Sequence, residues 1–408
     1  MIQPASAQRL GRSLMLGLAL GLAAASVAAA VPASADDPQR EVLVMVRLPP
    51  DHLRPNSTYS GGWSDGAAAR RRIVDRLASR NGLVLVDDWP MPVVGVDCFV
   101  LRTPNAVSAY EVAERLSHAP EVAWSQPMNV YRGQGEVSRG QPLYPMQPTA
   151  REWRLAELHR TATGRGVRVA VIDSKVEAGH PDLAGQVPVS QDFVAGRPSA
   201  PETHGTAVAG VIAARGIGIA GVAPGSRVMA LRACWQAAGG ATLCDSLSLA
   251  KALDFAIGHD AQVINLSLSG PPDTLLGKLL DAALARRVVV VAAFDRGLPG
   301  GGFPASHPGV FAIADEGGGA TPPGVYAAPG RDIPAPLPGG KWGLVSGSSF
   351  AAAEVSGLAA LVRERPGRPT VKLQSALPAG GDVDACATLG ASPGCAHAPA
   401  RVREAAIP

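Results

Sequence analysis

The sequence predicts an α/β domain built on a parallel sheet and preceded by a small α+β unit of ferredoxin-like order. Three observations carry that expectation. From about residue 151 onward, apolar runs rich in β-branched residues alternate with helical stretches, the pattern of a parallel sheet covered by helices. Upstream, residues 41–126 read β-α-β-β-α-β, the order of a ferredoxin-like sandwich. Between the two, residues 131–150 lose all periodicity and read as a linker.

In the first unit, Val42, Val44, Val46 and Leu48 alternate along a strand. Residues 66–82 form a helix with Ile73, Val74 and Leu77 on one face and Gly82 as its stop. Two strands come next at 83–89 and 93–103, then a helix over 108–120 ended by Pro120, then a strand at 121–127. In the second unit the strands are 167–172, 228–233, 262–268 and 287–293, with helices over 204–214, 246–258 and 273–285. Chemistry in such sheets gathers at the carboxyl ends of the strands.

The 408 residues suit two folded units with additional segments. With 47% hydrophobic and 17% charged residues, the chain has ample material for a core and is not disordered. Its 47 Gly and 36 Pro follow no G-X-Y period, which excludes collagen. A formal charge of +3 gives no electrostatic basis for binding nucleic acid or an anionic membrane.

Arg9 and Arg12 precede an uncharged, Ala- and Leu-rich stretch over 13–31, followed by Ala33-Ser34-Ala35. This pattern predicts a secretory signal at 1–35. The alternative, an uncleaved anchor of near-bilayer length, is weakened by the alanine content. Export implies a secreted or periplasmic chain, without membrane attachment after signal cleavage. Cys234 and Cys244 lie close in sequence, as do Cys386 and Cys395, and Cys98 is odd. Three connectivities are open to those four, and the local pairing is expected, each loop contributing about 2–3 kcal/mol. No CxxC or His cluster accompanies them, so no metal is expected.

Three fragments carry candidate chemistry. Asp173 ends a buried strand, His204 opens an Ala/Val-rich helix, and Ser349 opens another. Each alone has a structural reading: a cap, a packed histidine, or small residues in a crowded helix. Together, an Asp…His…Ser order on a parallel α/β frame resembles the subtilisin-like serine proteases (subtilases, peptidase family S8). The resemblance runs over roughly 142–365. It includes His180-Pro181-Asp182-Leu183, residues 204–210 (His-Gly-Thr-Ala-Val-Ala-Gly), Gly221-Val222-Ala223-Pro224, Ile264-Asn265-Leu266-Ser267-Leu268 and Phe303-Pro304-Ala305.

That resemblance implies a serine endopeptidase acting on polypeptides. Ser349 would be the nucleophile, His204 the general base and Asp173 its orienting acid. The oxyanion hole would be formed by Asp295 and Ser349. Substrate would lie extended along Ser267, Leu268, Ser269 and Gly270, with Ala292, Ala293 and Phe294 lining the pocket for the residue before the scissile bond. Residues 36–130 would be an inhibitor-like propeptide, residues 131–150 would hold the processing site, 151–370 would be the peptidase domain, and 371–408 a disulfide-containing tail. No cofactor is implied, and a monomer is expected.

Several positions depart from the family pattern. Asp295 stands where the family has the oxyanion-hole Asn, and Glu354 introduces an acid near the nucleophile. Lys175 replaces a Gly two residues after the acid. Ser269 and Phe294 replace pocket glycines and should narrow the pocket. The segment 214–218 is short and lacks the Asn of the family's calcium loop, and Asp182 alone makes no metal site. The alternative function is therefore a pseudoprotease that binds peptides or a partner without turnover. A generic α/β hydrolase is excluded by the triad order and the absence of Gly-x-Ser-x-Gly around Ser349.

Overall fold

The computed structural model describes residues 40–47, 62–104, 107–133, 136–138, 146–367, 370–377 and 380–390. The signal at 1–35 and Cys395 lie outside the described residues. The first unit comprises β1 (Glu41–Arg47), α1 (Gly62–Asn81), β2 (Val84–Met91), β3 (Val96–Arg102), α2 (Ala109–Ser117) and β4 (Val122–Pro127). Its antiparallel sheet has the order β2-β3-β1-β4, as expected for a split β-α-β arrangement.

β1 is richer in burial than its alternation suggests. Val42, Val44 and Val46 face α1 and α2, but Leu43 and Met45 are also fully buried. The second face of this sheet packs into a cluster shared with helices later in the chain. Cys98 lies on that face, and burial pushes its thiol well above the usual range, so it stays neutral and unreactive.

The chain continues as β5 (Val130–Gly133), β6 (Glu136–Ser138), α3 (Pro148–Glu152), α4 (Leu155–Thr161), β7 (Arg168–Asp173), β8 (Val189–Asp192), α5 (Thr203–Ala213) and β9 (Arg227–Arg232). Next come β10 (Cys234–Gln236), β11 (Thr242–Asp245), α6 (Ser246–Gly258), β12 (Val263–Leu266), β13 (Leu268–Ser269), α7 (Thr274–Ala285), β14 (Val289–Ala293), β15 (Phe311–Asp315) and β16 (Val325–Ala328). The described chain ends with β17 (Ile333–Leu337), β18 (Lys341–Ser346), α8 (Ser348–Glu364), β19 (Ser375–Leu377), β20 (Gly380–Val383) and α9 (Ala385–Leu389).

The central sheet has the order β19-β20-β16-β15-β14-β12-β7-β9-β8, parallel except for the β19 edge. Alternation along β7 divides its two faces. Val169 and Val171 join α5 and α8, whereas Ala170 and Ile172 join α6 and α7. Asp245 caps α6 through Ser248 N, and Asp273 caps α7 through Leu276 N. Nearly all of α8 is buried, which explains its Ala- and Ser-rich first turns.

The expected linker is not a plain connection. β5 pairs antiparallel with β11 on one side and β13 on the other, and β6 pairs with β18. These strands have no periodic pattern because their partners, more than a hundred residues away, supply the pairing.

Lys251 on α6 joins the units. It is buried, its Nζ is 2.8 Å from Asp87 Oδ2, and it sits over the Trp89 ring. Gln126 Oε1 also accepts the Leu275 N–H at the start of α7. No helix among the described residues is long and apolar enough to cross a membrane.

Candidate active site

Asp173 is the last residue of β7, and α5 brings His204 against it. His204 Nδ1 lies 2.8 Å from Asp173 Oδ1 and 3.0 Å from Oδ2. Both side chains are nearly fully buried. Asp173 Oδ1 also accepts the Ser174 N–H at 2.6 Å. An ionised acid on Nδ1 leaves the opposite nitrogen, Nε2, free to take a proton. Nε2 is buried and has no hydrogen-bond partner among the described residues.

Ser349 sits in the first turn of α8, at the positive end of a 17-residue helix. Its Oγ donates to Ser267 O at 2.9 Å, and Ser267 Oγ donates back to Ser349 O at 2.7 Å. The structure thus joins Asp173 to His204 directly and holds Ser349 on the 267 segment. A Ser349–His204 hydrogen bond is not formed.

Two polar residues beyond the sequence candidates support this arrangement. Asn265 Nδ2 donates to Ser267 Oγ at 2.9 Å, and Ser356 Oγ donates to Asn265 Oδ1 at 2.9 Å. All four members of the chain Ser356–Asn265–Ser267–Ser349 are buried, so each hydroxyl and amide needs the next. Ser356 lies two helical turns beyond Ser349 on the same face, a spacing visible in the sequence.

β5 fills the cleft. Ser269 is opposite Arg132, Leu268 is opposite Gly133, and Cys244 is opposite Tyr131. A Cβ on Gly133 would stand 3.2 Å from His204 Nε2, so the chain passes directly over the imidazole. The Tyr131 ring lies on Gly270, where an added Cβ would come within 2.2 Å of it, and 6.3 Å from the Phe303 ring. The Cys234–Cys244 disulfide closes the β10–β11 hairpin that walls this side.

Ser269 and Phe294 both enter the space between the 267–270 segment and residues 301–302. Ser269 Oγ is 3.3 Å from Gly301 O, and a Cβ on Gly301 would lie 2.1 Å from the Phe294 ring. Both side chains are nearly buried and fill much of the room expected for a substrate side chain. Ala292 and Ala293 are fully buried at the end of β14.

Asp295 is partly exposed, and its Oδ1 accepts the Gly297 N–H at 2.8 Å. It shares a cavity of about 610 Å³ with Phe294, Ser346, Gly347 and Ser348, next to Ser349 in the chain. Arg296 does not pair with Asp295. It donates instead to the carbonyls of Ala320 and Gly319 at 3.1 and 3.2 Å.

Glu354 corrects an expectation. It is 1% exposed, its Oε1 accepts from Thr149 Oγ1 at 3.3 Å, and its Oε2 is buried without a partner. Burial first, then repulsion from Glu316 and Glu152, raises its pKa well above the carboxylate range. Burial thus favours the neutral form of this acid over the charge expected beside the site. A carboxyl whose pKa rises on folding favours the folded state fully at low pH and loses that contribution as pH climbs through the folded value. Glu354→Gln should therefore raise the melting temperature at pH 8–9 and leave it nearly unchanged at pH 5. Thermal unfolding against pH checks this, and an equal loss at every pH would contradict it.

Asp182 does not fit a cation site. Its carboxylate faces N–H donors from residues 217–219 and Trp342, which suit an anion. Among the described residues, no group of three or more His, Cys, Asp or Glu is arranged to hold a metal.

The subtilase family model matches residues 164–317. Subtilisin of Bacillus pumilus is 35% identical over 219 residues, covering 49% of this chain and 78% of that protein. M-protease of Shouchella clausii is 30% identical over 295 residues, covering 67% and 70%. The crystal structure of fervidolysin from Fervidobacterium pennivorans, a keratinolytic enzyme related to subtilisin, superposes with a TM-score of 0.64 over 86% of this chain at 21% identity. The match spans 61% of the fervidolysin chain, and at that identity it speaks for the fold.

Proposed function

The chain belongs to the subtilase family of serine endopeptidases, and from that premise we propose that it is exported and matures by cutting its own chain after β5. Ser349 Oγ attacks the scissile carbonyl while His204 Nε2 takes its proton. His204 then returns the proton to the leaving amine, and water releases the acyl group by the same route. Asp173 holds the imidazole tautomer and stabilises its cationic form. Polypeptide substrates add a strand between β11 and β13, so affinity comes largely from main-chain hydrogen bonds.

The observation that carries this reading is the chain's own path. Gly133 is opposite Leu268 beside His204, and Glu136 is opposite Ser346, three residues before Ser349. Both registers support a cut between Gly133 and Glu136, and we assign it to the Gln134–Gly135 bond. Residues 36–134 then form the propeptide, an inhibitor in the cleft until cleavage. The Arg9/Arg12 signal pattern and the Cys234–Cys244 disulfide support a secreted or periplasmic enzyme. N-terminal sequencing of the exported protein tests the site, with a new terminus at Gly135 expected.

The filled pocket predicts specificity. Substrates with Ala or Ser before the scissile bond should be cleaved in preference to those with Phe or Leu. The chain's own Gln134 is tolerated because the tethered bond is presented at high effective concentration. Phe294→Gly should raise kcat/KM after Phe or Leu at least tenfold in a peptide-library profile. An unchanged profile would mean that Phe294 does not limit the pocket.

A second reading, a pseudoprotease, is favoured by one observation: Ser349 Oγ is bonded to Ser267 O and not to His204. Turnover of an unfolded protein substrate separates the two.

A further inference from the structure

The loop after Asp173 grips a single hairpin through three side chains. Glu177 Oε2 accepts the N–H of Gly339 at 2.9 Å and of Gly340 at 3.4 Å, at the turn between β17 and β18. His180 Nδ1 accepts the Asp182 N–H at 3.2 Å, so the proton sits on Nε2, which donates to Lys341 O at 2.8 Å. Trp342 Nε1 donates to Asp182 Oδ2 at 2.6 Å, and its indole meets the His180 ring edge-on at 4.9 Å.

Asp182 is fully buried, and its remaining acceptor capacity is taken by the N–H groups of Ile217, Gly218 and Ile219. The indole comes this close because residue 218 is glycine, where a Cβ would stand 2.3 Å from Trp342 Nε1. Hydrogen bonds to a buried carboxylate are of the strong kind, and a lost donor there is costly. The same loop is tied to the helix that carries His204, since Glu177 N donates to Thr206 Oγ1 on α5 at 3.0 Å.

The hairpin so held carries β18. On β18, Ser346, Val345 and Leu344 are opposite Glu136, Val137 and Ser138. We infer that Glu177, His180, Asp182 and Trp342 are positioning residues for the leaving-group side of the cleft, fixing β18 as the strand on which the chain beyond the scissile bond pairs. This rests on the reading above that residues 130–133 and 136–138 lie along the cleft as a substrate does. What it adds is the clamp, four side chains that fix the position of β18 from the far end of its hairpin.

Trp342→Phe keeps an aromatic ring at this position and removes the N–H that Asp182 accepts. In the full-length Ser349→Ala chain, it should speed amide hydrogen exchange at least tenfold over 136–138 and 344–346, with 130–133 and 268–269 unchanged. Unchanged exchange everywhere, or equal loss over both strand pairs, would overturn the inference. If Trp342→Phe does not fold, Glu177→Gln, at a half-buried position, is read in the same way. In the active chain, Trp342→Phe should lower kcat/KM about tenfold, mainly through KM, for peptides extending four residues past the scissile bond. Peptide p-nitroanilides, which have no residue there, should change less than twofold. An equal loss on both would mark Trp342 as a general stability residue. The exchange measurement decides the inference even for a chain without turnover, so its failure is separable from failure of the protease reading.

Discussion

Ser349→Ala should leave the exported protein full length, with β5 still joined to β6, while the wild type begins at Gly135. It should also reduce kcat on an unfolded protein substrate by on the order of 10⁶, the loss known for subtilisin itself, a member of this family. The expectation comes from the cleft. Only two residues separate Gly133, held opposite Leu268 over His204, from Glu136, held opposite Ser346. A chain anchored on both sides has little freedom to carry another bond to the nucleophile. Equal processing of wild type and Ser349→Ala would assign the cut to another protease. A wild-type terminus far from residue 135 would show that β5 and β6 do not pair in this register before cleavage.

Asp295→Asn should raise kcat at pH 7–8 by about 10²-fold, up to about 10³ if the acid lies directly in the hole. An ionised carboxylate about 4 Å from a developing oxyanion costs about 4 kcal/mol at an effective dielectric constant near 20, whereas an amide in its place donates. Asp295 lines the cavity beside Gly347 and Ser348, and Arg296 is engaged elsewhere and does not pair with it. The wild type should therefore be slow at neutral pH, where the Asn variant gains. Rate profiles of both proteins against pH check this. An Asn variant no faster at pH 7–8 would mean that Asp295 lies outside the hole, or that the Ser349 N–H alone suffices.

The sequence by itself determined the architecture. Runs such as VRVAVI and RVVVVAA are apolar without alternation because both faces of a parallel strand are covered, and the β7 and β14 burial patterns agree. It also brought forward the candidates for the site, because Asp173, His204 and Ser349 each end a strand or open a helix, and such termini meet at one edge of the sheet. The Cys234–Cys244 pair was legible for a similar local reason, a short loop between two cysteines.

Only the tertiary structure decided what lies in the cleft and what holds it. Tyr131 and Gly133 have no pattern of their own, and their meaning comes from Gly270, Leu268 and His204, all at least seventy residues away. Leu43 and Met45 read as the outer face of a half-buried strand until the second unit covered them. Glu354 read as a charge beside the nucleophile until burial favoured its neutral form. Asp182 and Trp342 are 160 residues apart, and no local signal joins them. The reason is common to all of these. Periodicity and caps report a residue's own element, whereas burial, protonation and strand register depend on what the fold brings against it from elsewhere in the chain.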